Sequence, residues 1–78
     1  MPPMTKKDCS LLNLIADNIR QNRGILHISQ EELADRAGVH RTYIGMLERA
    51  EKNVTVLSLE KIAMALKIPL ESLFRKGK

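Results

Sequence analysis

The chain has 78 residues, with 13 lysines and arginines against 9 acids, a formal net charge of +4 and a hydrophobic fraction of 44%. That length supports one domain with a small core, and the modest basic excess suits a compact domain with an anionic partner better than a disordered cationic arm. One cysteine and two histidines exclude an internal disulfide and a Cys/His metal cluster, and one tyrosine, one phenylalanine and no tryptophan leave no platform for stacking single-stranded bases.

No apolar run is long enough to span a membrane, and the start MPPMTKKDCS lacks the hydrophobic stretch of a signal peptide, so the chain is expected in the cytoplasm. Residues 1–9, with Pro2 and Pro3, read as a flexible N-terminal segment ending at Cys9, an ordinary small residue; residues 10–76 read as one domain. A first helix is expected from Ser10 to Arg23, with Leu11, Leu12, Ile15 and Ile19 on its apolar side and Gly24 marking its end. The following Ile25-Leu26-His27-Ile28 is more apolar than a surface loop needs, so part of it should cover the core.

The most specific pattern lies in Gln30 to Arg49, QEELADRAGVHRTYIGMLER. Ser29 is an N-cap, and Glu32, three residues on, completes a capping box. The helix from Gln30 to Ala37 turns Leu33, Ala34 and Ala37 to one side, and Gly38 follows where a left-handed stop is needed. Ala34 is small enough for a second helix, Arg41 to Glu48 or Arg49, to cross closely above it, with Val39, Ile44 and Leu47 filling the space beneath. Two short helices crossing through a tight turn form a helix-turn-helix, whose second helix fits the major groove of duplex DNA.

At about 100° per residue, Arg41, Thr42, Gly45, Met46 and Arg49 gather on the outer arc of that second helix. Arginine pairs best with guanine, and threonine donates, accepts or touches a thymine methyl, so Arg41 and Thr42, with Met46, are the candidate base contacts. Candidate backbone contacts are Gln30, His40, Tyr43, Arg49, Lys52 and Asn53. Several have a bland alternative: Tyr43 covers the core, while His40, Arg49 and Lys52 are simply solvated. Gly45 costs a helix interior about 1 kcal/mol relative to alanine, for which close approach of a DNA strand is an explanation.

Beyond the polar Glu51-Lys52-Asn53, Thr55 or Ser58 caps a fourth helix running to Lys67, with Leu59, Ile62, Ala63 and Leu66 buried. Pro69 opens a last short helix, Leu70 to Phe74. The fold class is therefore all-α, a compact domain of five helices. Ile68, Leu70, Leu73 and Phe74 are many large apolar groups for so short an element, and are candidates for a two-fold interface with a second copy. Dimers of this motif read half-sites about 34 Å apart, which supplies the selectivity a single hairpin lacks. No cluster of acid, base and nucleophile suggests an enzyme, and no cofactor is implied.

Two spans, SQEELADRAGVHRTYIGMLER and LEKIAMALKIPLESLF, resemble the helix-turn-helix regulators related to the phage Cro repressors, the XRE family. Within it, HRTYIG followed by LER, a short polar loop and Asn53 is similar to the controller proteins of restriction–modification systems. The resemblance implies a five-helix, lambda-repressor-like homodimer that binds operator DNA near a promoter, with RNA polymerase as a further partner, and represses or activates transcription. By position it makes Gln30 a phosphate-clasping residue and Arg41 and Thr42 the base-reading pair. It puts Met46 at a further groove-facing place, and Tyr43, Arg49 and Asn53 at backbone-contacting or structural ones. It also implies an internal ion pair, Arg20 with Glu48, between the first and third helices. One departure is visible: the link from Gly24 to Ser29 is about three residues longer than usual, which bears on the register of the first helix. The alternative from another class is an antitoxin-like protein-interaction module on the same fold.

Overall fold

The computed structural model describes residues 10–51 and 54–76; the N-terminal segment with Cys9, and Lys52 and Asn53, lie outside the described residues. The described chain forms α1 (Ser10–Leu26), α2 (Gln30–Ala37), α3 (Arg41–Glu48), α4 (Val56–Leu66) and a closing 3₁₀ helix (Leu70–Phe74), with no strand among the described residues. The fold class is all-α as expected, the fifth element being a tighter 3₁₀ helix.

Side-chain oxygens and nitrogens at the caps define where three of these helices begin. Ser29 Oγ accepts from the Glu32 amide at 3.0 Å, His40 Nδ1 from the Thr42 amide at 3.2 Å, and Thr55 Oγ1 from the Ser58 amide at 3.1 Å. Such caps contribute about 1 kcal/mol each. The expected capping box is only half present, because the Glu32 carboxylate bonds the Arg36 Nε at 2.9 Å.

Left-handed residues end four helices. Gly38 closes α2 at φ 71°, and non-glycine residues do the same work at His27 (φ 57°), Ala50 (φ 56°) and Lys67 (φ 62°). Each is bracketed by the paired backbone bonds of a Schellman turn, such as Ile28 N–H to the Arg23 carbonyl and Ile68 N–H to the Ala63 carbonyl.

α1 does not stop at Gly24 but continues to Leu26, with His27 taking the left-handed position. The cause is tertiary: Leu26 and Ile28 pack against the core, which outweighs the small helix penalty of one glycine. Ile25, in the same run, stays 71% exposed.

Ile15, Ile19, Leu33, Ile44, Leu47, Leu59, Ile62, Leu66 and Leu73 make a single core. The α2–α3 hairpin rests on α4 and α1, and the 3₁₀ helix bridges α1 and α4. Ala34 at the crossing is buried, as its small size requires. Asn18, itself buried, ties the chain end down: its Nδ2 donates to the carbonyls of Leu73 at 2.8 Å and Arg75 at 2.7 Å. Leu73 is thereby fully inside the core and offers no surface to a second copy, unlike the other candidate interface residues. Phe74 is exposed, and Ile68 and Leu70 are half-buried. Leu11, expected on the apolar side of α1, is 53% exposed.

Candidate nucleic-acid interface

The N-termini of α2 and α3 meet across an open trench of about 650 Å³, lined by Arg23, Ser29, Gln30, Glu31, Arg41, Thr42, Gly45 and Arg49. Four sequence candidates, Gln30, Arg41, Thr42 and Arg49, are therefore brought together. Arg41 and Thr42 open α3 and are exposed, which leaves their polar ends accessible. Met46, next along the outer arc, is half-buried and is not part of the trench wall. Tyr43 is half-buried and its ring packs against the core. His40 lies on the other side of Arg41, in a smaller depression of about 300 Å³ with Glu31, Asp35 and Val39. Because its Nδ1 accepts the Thr42 amide, a neutral His40 carries its proton on Nε2, the only remaining donor of the ring.

Behind the trench sits a polar node that fixes its geometry. Glu48, with a side chain only 4% exposed, receives Arg23 Nε at 2.7 Å and Arg23 Nη2 at 2.9 Å. Gln30 Nε2 donates to the same carboxylate at 3.0 Å, and Arg23 Nη1 donates to the Ile28 carbonyl at 3.0 Å. The hydrogen bond to Glu48 raises the Arg23 pKa above its ordinary value; burial opposes this and the carboxylate's charge adds a smaller push. Such a buried charge persists because it is paired in bidentate fashion and its remaining lone pairs are used.

This node corrects the expected Arg20–Glu48 ion pair. Arg20 donates to the Glu48 backbone carbonyl and pairs with Asp17, while the carboxylate belongs to Arg23. The extra length before Ser29 is absorbed as additional α1 helix, which moves the pairing position by three residues, close to one turn. Arg20 and Arg23 share a face at that spacing, so the longer link was the available signal.

Two acids paired with the trench arginines were not singled out from the sequence. Glu31 Oε2 lies 3.9 Å from Arg41 Nη1, and Glu51 Oε1 lies 3.0 Å from Arg49 Nε. Both pairs are largely exposed and contribute at most about 1 kcal/mol, so neither arginine is locked. Gly45 is buried, contrary to its expected place on an open outer arc: the Arg49 guanidinium covers it, with Gln30 beside.

A second, apolar feature lies where α1, α4 and the chain end meet. A cavity of about 280 Å³ is lined by Leu11, Leu12, Ile15, Val54, Val56, Leu59 and Phe74. Its rim is open to solvent at Leu11 (53%), Val56 (69%) and Phe74 (38%).

A chain with these features has known counterparts. The helix-turn-helix family model matches residues 19–73. The control protein C.SmaI of Serratia marcescens is 44% identical over 63 residues, 81% of this chain and 75% of that one. The crystal structure of the restriction–modification controller protein C.AhdI from Aeromonas hydrophila superposes with a TM-score of 0.78 at 36% identity, covering 81% of this chain and 96% of that one. A hypothetical transcription factor from Neisseria gives a TM-score of 0.83 at 33% identity, covering 97% and 87%. The chain belongs to the helix-turn-helix family of DNA-binding transcription regulators, in the company of the restriction–modification controller proteins.

Proposed function

We propose that this chain controls transcription of restriction–modification genes as a homodimer on a two-fold symmetric operator, reading base edges with Arg41, Thr42 and Met46. The observation that carries the reading is the placement of Arg41 and Thr42, exposed on the first turn of α3, in one trench with Gln30 and Arg49. An arginine there reaches guanine O6 and N7, and the threonine beside it meets either a polar edge or a thymine methyl. Met46 adds a flexible apolar surface further along the helix. Gln30, His40, Tyr43, Arg49, Lys52 and Asn53 hold the sugar–phosphate strands and set the register. Gln30 spends one amide hydrogen on Glu48 and keeps the other for a phosphate oxygen, and His40 donates from Nε2.

Self-association uses the apolar rim of Phe74, Val56 and Leu11, with Ile68 and Leu70 contributing the parts the core leaves uncovered. Regulation works by occupancy near a promoter, where RNA polymerase is excluded or recruited, in the cytoplasm at the nucleoid and without catalysis. No helix among the described residues is long and apolar enough to cross a membrane. A second reading, an antitoxin-like interaction module, draws on the same apolar rim to bind another protein. Selection of bound duplexes from a random pool at physiological salt separates the two. The regulator yields a two-fold symmetric consensus; a pure interaction module yields none.

A further inference from the structure

Gly45 sits in the middle of α3, where glycine is unfavourable by about 1 kcal/mol relative to alanine, and no turn or left-handed backbone requires it there. Its surroundings explain the exception. A Cβ built on Gly45 would lie 3.3 Å from Arg49 Nη1, 3.7 Å from Gln30 Oε1 and 4.0 Å from Arg49 Cζ. Gln30 Nε2 donates to the buried Glu48 carboxylate at 3.0 Å, and Arg49 Nε lies 3.0 Å from the exposed Glu51 carboxylate.

We propose that Gly45 is a positioning residue for phosphate recognition, the bare stretch of α3 on which the Arg49 guanidinium rests beside the Gln30 amide. The inference rests on the reading of Gln30 and Arg49 as backbone contacts. An exposed arginine ordinarily samples many rotamers, and ordering it on binding costs affinity. Here the Glu51 carboxylate lies 3.0 Å from Nε and biases the arginine without locking it, the bare Gly45 lets the guanidinium lie close to α3, and both Nη groups stay available for a phosphate oxygen. A methyl group at this position would lift the guanidinium off its seat and away from Gln30. The arginine end is flexible and half-exposed, so the fold itself accommodates the methyl.

The test uses full-length Gly45→Ala, Arg49→Ala and the double variant, on a duplex carrying the selected operator and on a scrambled duplex of equal length. Gly45→Ala should raise the thermal midpoint while weakening binding about fivefold on both duplexes, with the log–log salt slope reduced by about one. In the Arg49→Ala background, adding Gly45→Ala should change affinity by less than about twofold, since the group it displaces is gone. Wild-type binding by Gly45→Ala, with Arg49→Ala impaired, overturns the inference. So does a loss that persists in the Arg49→Ala background, because the methyl would then be meeting DNA itself. Unchanged affinity and salt slope in Arg49→Ala alone would instead overturn the contact reading beneath it.

Discussion

Arg23 grips Glu48 through two parallel nitrogen–oxygen contacts, 2.7 Å from Nε and 2.9 Å from Nη2, with the Glu48 side chain almost entirely withdrawn from water. One ion pair thereby joins α1 to the end of α3, and through Gln30 to the start of α2. Removing one partner of a buried pair leaves an uncompensated charge, at about 3–5 kcal/mol. Arg23→Ala is expected to cost about 3 kcal/mol, the lower end of that range, because its side chain keeps 24% exposure. Arg20→Ala removes a bond to a backbone carbonyl and an exposed pair, and should cost about 1 kcal/mol. Urea midpoints of the two variants check this order; a larger loss in Arg20→Ala than in Arg23→Ala would return the pairing to Arg20.

Lys67 holds a left-handed conformation at the end of α4 that glycine adopts without a Cβ penalty. Lys67→Gly should stabilise the fold by about 0.5–1 kcal/mol, while Gly38→Ala, at φ 71°, should destabilise it by about 1 kcal/mol. Thermal midpoints shifting in opposite directions, by roughly 4–8 °C per kcal/mol in a domain of this size, are the readout.

Leu73 and Phe74 are neighbours with different tasks. Leu73 is fully buried, so Leu73→Ala should cost about 2–5 kcal/mol of stability. Phe74, 38% exposed at the apolar rim, should lose less stability as Phe74→Ser but shift sedimentation equilibrium toward monomer. An unchanged association constant in Phe74→Ser would remove this rim from the dimer.

The hairpin is legible in the sequence because its signals are local. A serine cap, a left-handed glycine and a small alanine at the crossing act within a few residues of where they stand, and the structure places Ser29, Gly38 and Ala34 accordingly. The end of α1 is not legible in this way. Gly24 is a valid local stop, but burial of Leu26 and Ile28 against distant helices outweighs it, and with the longer helix the ion pair moves from Arg20 to Arg23. Gly45 shows the same limit within the site. Helical periodicity puts it on the outer arc with Arg49 one turn on at i+4, but whether that arginine folds back over the glycine or reaches into solvent is a rotamer choice that periodicity leaves open. The gathering of Gln30, Arg41, Thr42 and Arg49 follows from the hairpin itself, so it was readable once the hairpin was.

Lys52 belongs to the polar connection after α3 and is proposed to neutralise one phosphate. Lys52→Ala should weaken all duplexes alike and lower the log–log salt slope by about one, as measured by binding titrations across a salt series. An unchanged slope would take Lys52 off the interface.

Operator recognition turns on whether the exposed first turn of α3 reads bases. The most direct measurement compares wild type and Arg41→Ala on the selected operator and on a scrambled duplex, at one physiological salt concentration. Loss of about 1–3 kcal/mol on the operator, with much less on the scrambled duplex, is the predicted result. Equal losses on both would reduce Arg41 to a phosphate contact and contradict it.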